Sequence, residues 1–217
     1  MFIGHYAVAL AAKRAAPRTS LGTLFAAASL ADLLWPAFVL AGWEQVRITG
    51  GANPLLALTF DAYPISHSLL TLLAWGVLFA LLYRARTGYA RGAVAVGLLV
   101  VSHWVLDFFT HLPDMPLYPG GPRLGLGLWS SVPGTVLVEA LMYGAGLWIY
   151  AASTRARDRV GRYGFWALVA VITLSYVASL FSPPPPTVTA LGIGGIVFGW
   201  LFVGWAAWAD KHRDGVT

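Results

Sequence analysis

Six long runs of apolar residues dominate the chain and leave few folds open to it. They extend over Ser20–Trp43, Ser66–Tyr83, Gly92–Phe109, Ser130–Ala152, Tyr163–Phe181 and Val188–Trp208. Each run is close to the roughly 20 residues that an α-helix needs to cross a hydrocarbon core about 30 Å thick. With 58% hydrophobic and only 11% charged residues, the chain also lacks the polar surface of a water-soluble domain. The sequence therefore predicts an all-α, polytopic transmembrane helix bundle.

A shorter apolar segment, Phe2–Ala16, precedes these six spans. As a helix it would be about 22 Å long, so it either spans marginally or is re-entrant. Lys13 and Arg14 follow its apolar residues, whereas a cleavable signal peptide carries its basic residues in front. We therefore expect this segment to be retained. The sequence shows no repeat of fixed period, so residues 1–217 are predicted to form a single integral membrane domain.

The basic residues alternate from one connection to the next. Twelve of the fourteen Lys and Arg residues lie on one side of the predicted bundle, which the positive-inside rule assigns to the cytoplasm. We expect a bacterial inner-membrane protein with a cytoplasmic C-terminus and with irregular exterior loops at Glu44–Pro64 and Leu112–Trp129. Because the net charge of +5 comes from these connections, it indicates orientation rather than nucleic-acid binding. Membrane lipids are the expected partners.

Ionisable residues inside the apolar runs gather at one depth. Counting about 1.5 Å per residue from the nearest cytoplasmic basic residue, five of them lie about 18 to 25 Å up. They are Asp32, His67, His103, Asp107 and Glu139. The same count puts His111 at about 30 Å, near the outer surface, and His5 at only about 12 Å. Buried acids cost about 2.5 to 3.5 kcal/mol each, so we expect a metal cation or a proton relay to offset them.

The segment SHWVLDFFTH places His103, Asp107 and His111 at i, i+4 and i+8, on one helical face. A His and an Asp one turn apart can bind the same cation, because both ligand types approach zinc within about 2.0 to 2.2 Å. A hydrogen bond between a neutral His and the Asp is the alternative. The chain has no cysteine, so any metal must be held by His and carboxylates. Asp32 lies deep in a helix that Pro36 is expected to kink.

Four short motifs in the first half of the chain match a known pattern. They are Gly4-His5, Ala31-Asp32, Ser66-His67-Ser68, and Ser102-His103 through Asp107 to Thr110. Through them the chain resembles the membrane-bound metal-dependent hydrolases, the YdjM-like inner-membrane family with distant similarity to zinc-dependent phospholipase C. The chain departs from that pattern at Leu34, where the Asp motif has a second acid, and it lacks the Arg that precedes the Thr-His-Ser segment.

The resemblance implies a metal site built from His5, Asp32, His67, His103 and Asp107, and hydrolysis of a phosphoester or lipid-like substrate. We expect one divalent, zinc-like ion in an outward-facing cavity, where it would lower the pKa of bound water. Glu139 and His111 are the candidate catalytic acid or base; Glu139 is equally open to a role as ligand or as protonated structural acid. Two other functions use the same residues: an ion- or proton-coupled transporter or channel, and a haem protein with two axial histidines.

Overall fold

Eight α-helices make up most of the structure, a computed structural model that describes residues 1–216. They are α1 (Ile3–Ala15), α2 (Leu21–Ala28), α3 (Leu30–Leu40), α4 (Leu69–Thr87), α5 (Ala90–Thr110), α6 (Val132–Ser153), α7 (Phe165–Phe181) and α8 (Val188–Asp210). A π-helical turn, Val160–Gly164, leads directly into α7. The predicted all-α bundle is confirmed.

Five of the helical segments are long and apolar enough to cross a membrane. They are α4, α5, α6, α7 with its preceding π-helical turn, and α8. Each presents large apolar side chains on its outer face, for example Leu81, Leu98, Leu141, Leu174 and Val197. Exposed apolar surface of this extent is unfavourable in water and favourable in lipid. The helices thus indicate a membrane-spanning protein.

The predicted span Ser20–Trp43 is broken rather than straight. Helices α2 and α3 meet at Ser29 with a bend of 57°, so the pair counts as a sixth span only if the two are taken together. This bend lies at Ser29, whereas Pro36 lies inside α3, seven residues further along the chain. The bend separates the end of α2 from the start of α3, and the last carbonyls of a helix have no partner within it. Those carbonyls become available to neighbouring side chains.

Helix α1 runs inside the bundle instead of along its surface. It has only 13 residues, and Ile3–Ala7 are all buried although they cover more than one full turn. It packs closely against α6, because a Cβ added at Gly146 would lie 2.5 Å from the Ala7 carbonyl oxygen. A glycine is therefore needed at position 146, since any side chain there would push the two helices apart.

The connections meet in two sets at opposite ends of the helices, and they are more regular than expected. At one end, β1 (Gln45–Ile48) pairs with β2 (Leu58–Ala62), and β3 (Met115–Pro116) pairs with β4 (Arg123–Leu124). The Asn53 side chain joins the two loops by donating to the Trp129 carbonyl at 2.8 Å. At the other end, β5 (Thr154–Ala156) pairs with β6 (Arg213–Gly215). The loops predicted to be irregular thus contain short strand pairs.

A buried ion pair ties α1 to α8 at the end that carries most of the basic residues. Lys13 Nζ lies 2.6 Å from Asp210 Oδ2, and both side chains are less than 10% exposed. Asp210 also accepts hydrogen bonds from the Tyr150 hydroxyl at 2.7 Å and from the Leu21 amide at 2.9 Å. Lys13 donates to the Thr19 carbonyl as well, at 2.9 Å. Two buried charges are therefore paired and hydrogen-bonded on several sides.

Candidate metal centre

Two overlapping groups of His and Asp side chains lie where α1, α3, α5 and the turn before α4 meet. The first consists of His5, His103 and Asp107, and the second of Asp32, His67 and His103. Within each group, one ligand atom from every residue lies within 4.8 Å of the others. His103 belongs to both. Buried His and Asp groups that could hold a metal ion are thus present in the structure.

Asp107 joins α5 to α1. Its Oδ2 lies 3.1 Å from Nε2 of His103, one turn earlier in α5, and its Oδ1 lies 3.1 Å from Nε2 of His5. The imidazole rings of His5 and His103 stack with their centroids 3.8 Å apart. Two ligands that each lie about 2.0 to 2.2 Å from one ion are at most about 4.4 Å apart, so these distances fit a shared cation.

Asp32 completes the second group from the opposite side. It lies in the first turn of α3, just after the bend at Ser29, where the helix dipole stabilises a carboxylate. Its Oδ1 is 3.6 Å from Nε2 of His67 and 3.7 Å from Nε2 of His103. The Asp32 side chain is 49% exposed, whereas those of His67 and His103 are 5% exposed or less. Asp32 is therefore the member of the group that a ligand can reach.

Hydrogen bonds fix which nitrogen of His103 is available for a ligand. Its Nδ1 lies 2.8 Å from the Ala28 carbonyl oxygen, at the end of α2 that the bend exposes. A carbonyl only accepts, so Nδ1 carries the proton and Nε2 of the neutral ring carries a lone pair. Nε2 is buried and has no hydrogen-bond partner among residues 1–216. The donor set thus fits a divalent ion, since a buried lone pair without a partner otherwise costs stability.

His67 is oriented in the same way by Ser66, which is held in turn by Glu44, an acid that the sequence analysis did not single out. Its Nδ1 lies 2.7 Å from Ser66 Oγ, and the Ser66 hydroxyl donates to Glu44 Oε2 at 2.6 Å. Because that hydroxyl proton is committed to Glu44, Ser66 accepts from Nδ1 and leaves Nε2 of His67 free to face Asp32. Glu44 also accepts from the amides of Ile65 and Ser66, both at 2.8 Å. No local sequence pattern predicts this role for Glu44, an acid in the connection between α3 and α4.

Glu139 lies outside both groups. Its Oε2 accepts hydrogen bonds from the amides of Phe2 at 2.9 Å and Gly4 at 3.1 Å, at the start of α1. The first amides of a helix have no partner within it, so Glu139 serves as the cap that holds α1 in place. Nearby, the ammonium group of Met1 contacts Asp107 and lies 3.2 Å from Thr110 Oγ1. These contacts favour the structural role for Glu139 over that of ligand or base.

His111 lies at the end of α5 and is buried. It is the C-cap of α5 with an extended backbone, so the chain turns there and Nε2 lies 3.9 Å from Asp107 Oδ2. Its Nδ1 lies 2.9 Å from Asp114 Oδ1, which also accepts from the Tyr63 hydroxyl at 2.8 Å. Burial, and then the Asp114 charge, raise the pKa of Tyr63, so its hydroxyl keeps the proton it donates. Asp114 lies beyond the end of α5, so helical spacing does not identify it as a neighbour of His111.

The depth count was wrong for His5, which lies against His103 rather than below it. The count assumed that Lys13 marks the membrane surface, whereas Lys13 is buried against Asp210. The structure therefore brings together His5, Asp32, His67, His103 and Asp107, with His111 beside them. Comparison with known proteins finds no matching family model, no similar curated protein and no similar solved structure. The likeness to membrane-bound metal-dependent hydrolases stays a prediction from the four motifs.

Proposed function

We propose that the protein is a membrane-embedded metal-dependent hydrolase that acts on a phosphoester or lipid-like substrate. The observation that carries the proposal is the buried, unpartnered Nε2 of His103, which has Asp107 at 3.1 Å and Asp32 at 3.7 Å. We take the ion to be a single divalent cation, with zinc as the first candidate. One imidazole nitrogen binds one ion, and Nδ1 of His103 is already engaged, so the two groups are parts of one site. His5, Asp32, His67, His103 and Asp107 would be its ligands.

A divalent ion bound here would supply Lewis acidity toward an ester or phosphoryl oxygen and toward water. Hydrolysis adds the hydroxyl of water to the phosphorus or acyl carbon and returns a proton to the leaving oxygen. His111 is the residue placed to move that proton at Nε2, 3.9 Å from Asp107. Asp114 holds the opposite nitrogen of the ring, which fixes its orientation. Asp32 supplies the exposed edge of the site, where substrate would arrive.

The two alternative functions have weaker support. A haem with two axial histidines needs the two rings on opposite faces of the porphyrin, whereas His5 and His103 stack directly with centroids 3.8 Å apart. A transporter needs titratable groups along a path through the bundle. The buried acid at the other end, Asp210, is instead held by Lys13, Tyr150 and the Leu21 amide.

The proposed function is tested by metal analysis and hydrolysis on the same preparation. Protein purified without chelator or His-tag is expected to contain about one first-row divalent ion per chain, as a single shared site requires. It should also cleave a chromogenic phosphodiester or a vesicle phospholipid, with activity lost on chelation and restored by zinc. A protein that neither contains nor takes up a divalent ion would overturn the proposal.

We further propose that the end with the β5–β6 pair is cytoplasmic and that the metal centre lies toward the exterior of a bacterial inner membrane. Because the chain has no cysteine, single cysteines can report sidedness. Pro119→Cys should react with a membrane-impermeant thiol reagent in intact cells whose outer membrane has been permeabilised. Arg86→Cys should react only after the inner membrane is opened. The reverse pattern would invert the orientation.

A further inference from the structure

A cavity of about 580 Å³ lies between α3, α7 and α8 and ends at the metal centre. Its volume falls within the range of roughly 300 to 1,000 Å³ that is usual for ligand pockets. Most of its wall is apolar, including Pro36, Leu191 and Phe202, while Asp32 and Ser29 line it where α3 begins. The cavity wall is thus mostly apolar, and its acidic group, Asp32, lies where the cavity meets the candidate ligands.

The cavity also opens on the outer surface of the bundle. Phe198 lines it and is nevertheless 55% exposed, and the lining residues Ala178 and Ser179 of α7 are exposed as well. Both helices are apolar spans whose outer faces suit lipid. The space between them therefore connects the surrounding acyl chains with Asp32.

Two further residues that carry polar groups, Trp35 and Met1, line the cavity. Trp35 lines the cavity and is 8% exposed, and its indole Nε1 has no hydrogen-bond partner within residues 1–216. Met1, whose ammonium group contacts Asp107, lines the same cavity. Ser175, Ser179 and Ser182 add hydroxyl groups along α7, and most of the remaining wall is apolar. This distribution matches an amphiphile and not a small polar solute.

We propose that this cavity binds one acyl chain of a membrane phospholipid, entering between α7 and α8, so that the ester-linked phosphate of the head group meets Asp32. The inference deepens the proposed function, on which it rests, by naming phospholipid as the substrate class. Lateral entry requires no soluble domain to extract the lipid from the bilayer.

Gly194 offers a way to close the cavity without disturbing helix packing. It lines the cavity, and a Cβ placed there would meet no heavy atom within 4 Å. By contrast, a Cβ at Gly195 would lie 2.8 Å from Pro36, and one at Gly199 would lie 2.7 Å from Leu33, so those glycines allow α8 to pack on α3. Gly204, on the same helix, also has open space but does not line the cavity. Gly194→Leu and Gly204→Leu are therefore a matched pair.

The test is photolabelling in vesicles of phosphatidylethanolamine and phosphatidylglycerol, with a trace of phosphatidylglycerol that carries a diazirine on one acyl chain. Adducts mapped by mass spectrometry should be enriched at Ser179 and Phe198 over equally exposed positions such as Leu81. The enrichment should be lost in Gly194→Leu and kept in Gly204→Leu. It should also persist in chelator, because the chain site does not depend on the ion.

Uniform labelling of all lipid-facing helices in the wild-type protein, with no enrichment in the cavity, would overturn the inference without any variant. Equal labelling of the cavity in the two glycine variants would overturn it as well. Enrichment in a protein that binds no metal would leave the acyl-chain site standing while the hydrolase proposal fails. Metal binding without enrichment would leave the hydrolase proposal standing while the acyl-chain site fails. The two results therefore distinguish failure of one proposal from failure of the other.

Discussion

His103→Ala is expected to abolish metal binding. His103 is the residue shared by both groups, and its Nε2 lies within 3.1 Å of Asp107 and 3.7 Å of Asp32. Removing an outer partner of a metal ligand typically costs about 10- to 100-fold in affinity, so loss of the shared ligand itself should exceed about 100-fold. Metal content by elemental analysis, and zinc affinity by competition with a chelating dye, would measure the effect.

Two further variants make this prediction specific. Ser66→Ala removes the hydroxyl that links His67 to Glu44, so affinity should fall by about 10- to 100-fold while the site persists. His111→Ala should keep most of the metal and lose activity, because His111 is outside both groups and Asp114 holds its ring. Equal metal loss in His103→Ala and His111→Ala would show that the coordination shell extends to the end of α5. No loss in either would place the ion elsewhere.

Breaking the Lys13–Asp210 pair is expected to cause the largest loss of stability. Both side chains are buried, and removing one partner of a buried ion pair costs about 3 to 5 kcal/mol because the other charge is left without compensation. Lys13→Met and Asp210→Asn should each lower the free energy of unfolding by about that amount. Because the pair joins α1 to α8, metal binding through His5 should weaken along with stability. Unfolding in mixed detergent micelles would measure the change.

The double variant Lys13→Met/Asp210→Asn is the control. With neither charge present, the desolvation cost disappears, and stability should recover most of the loss seen in each single variant. In the wild-type protein the Tyr150 hydroxyl donates to Oδ1 of Asp210 and the Leu21 amide donates to Oδ2. In Asp210→Asn the single side-chain oxygen can still accept from the Leu21 amide, and the side-chain NH2 can donate to the Tyr150 hydroxyl oxygen. Single variants within about 0.5 kcal/mol of the wild-type protein would mean that Lys13 reaches water, as a surface residue does.

The sequence alone determined the helical architecture and most of the candidate site. An apolar run of about 20 residues has few ways to satisfy its backbone polar groups in lipid other than as a helix, so the spans could be read directly. The same rule made buried acids conspicuous, which singled out Asp32 and Asp107. The i, i+4 spacing of His103 and Asp107 needed only helix geometry, and α5 has that geometry throughout this segment.

Only the tertiary structure decided how these residues face one another. Sequence position gives height along a helix but neither its rotation nor its surroundings, so Glu139 shared the depth of the ligands and yet caps α1. Counting from Lys13 failed because that residue is buried against Asp210. The hydrogen bond of His103 to the Ala28 carbonyl at the bend, and that of Ser66 to Glu44, join segments distant in sequence, and no local pattern encodes them. The local sequence thus determined where the helices form, and long-range packing determined which ionisable residues of different helices contact one another.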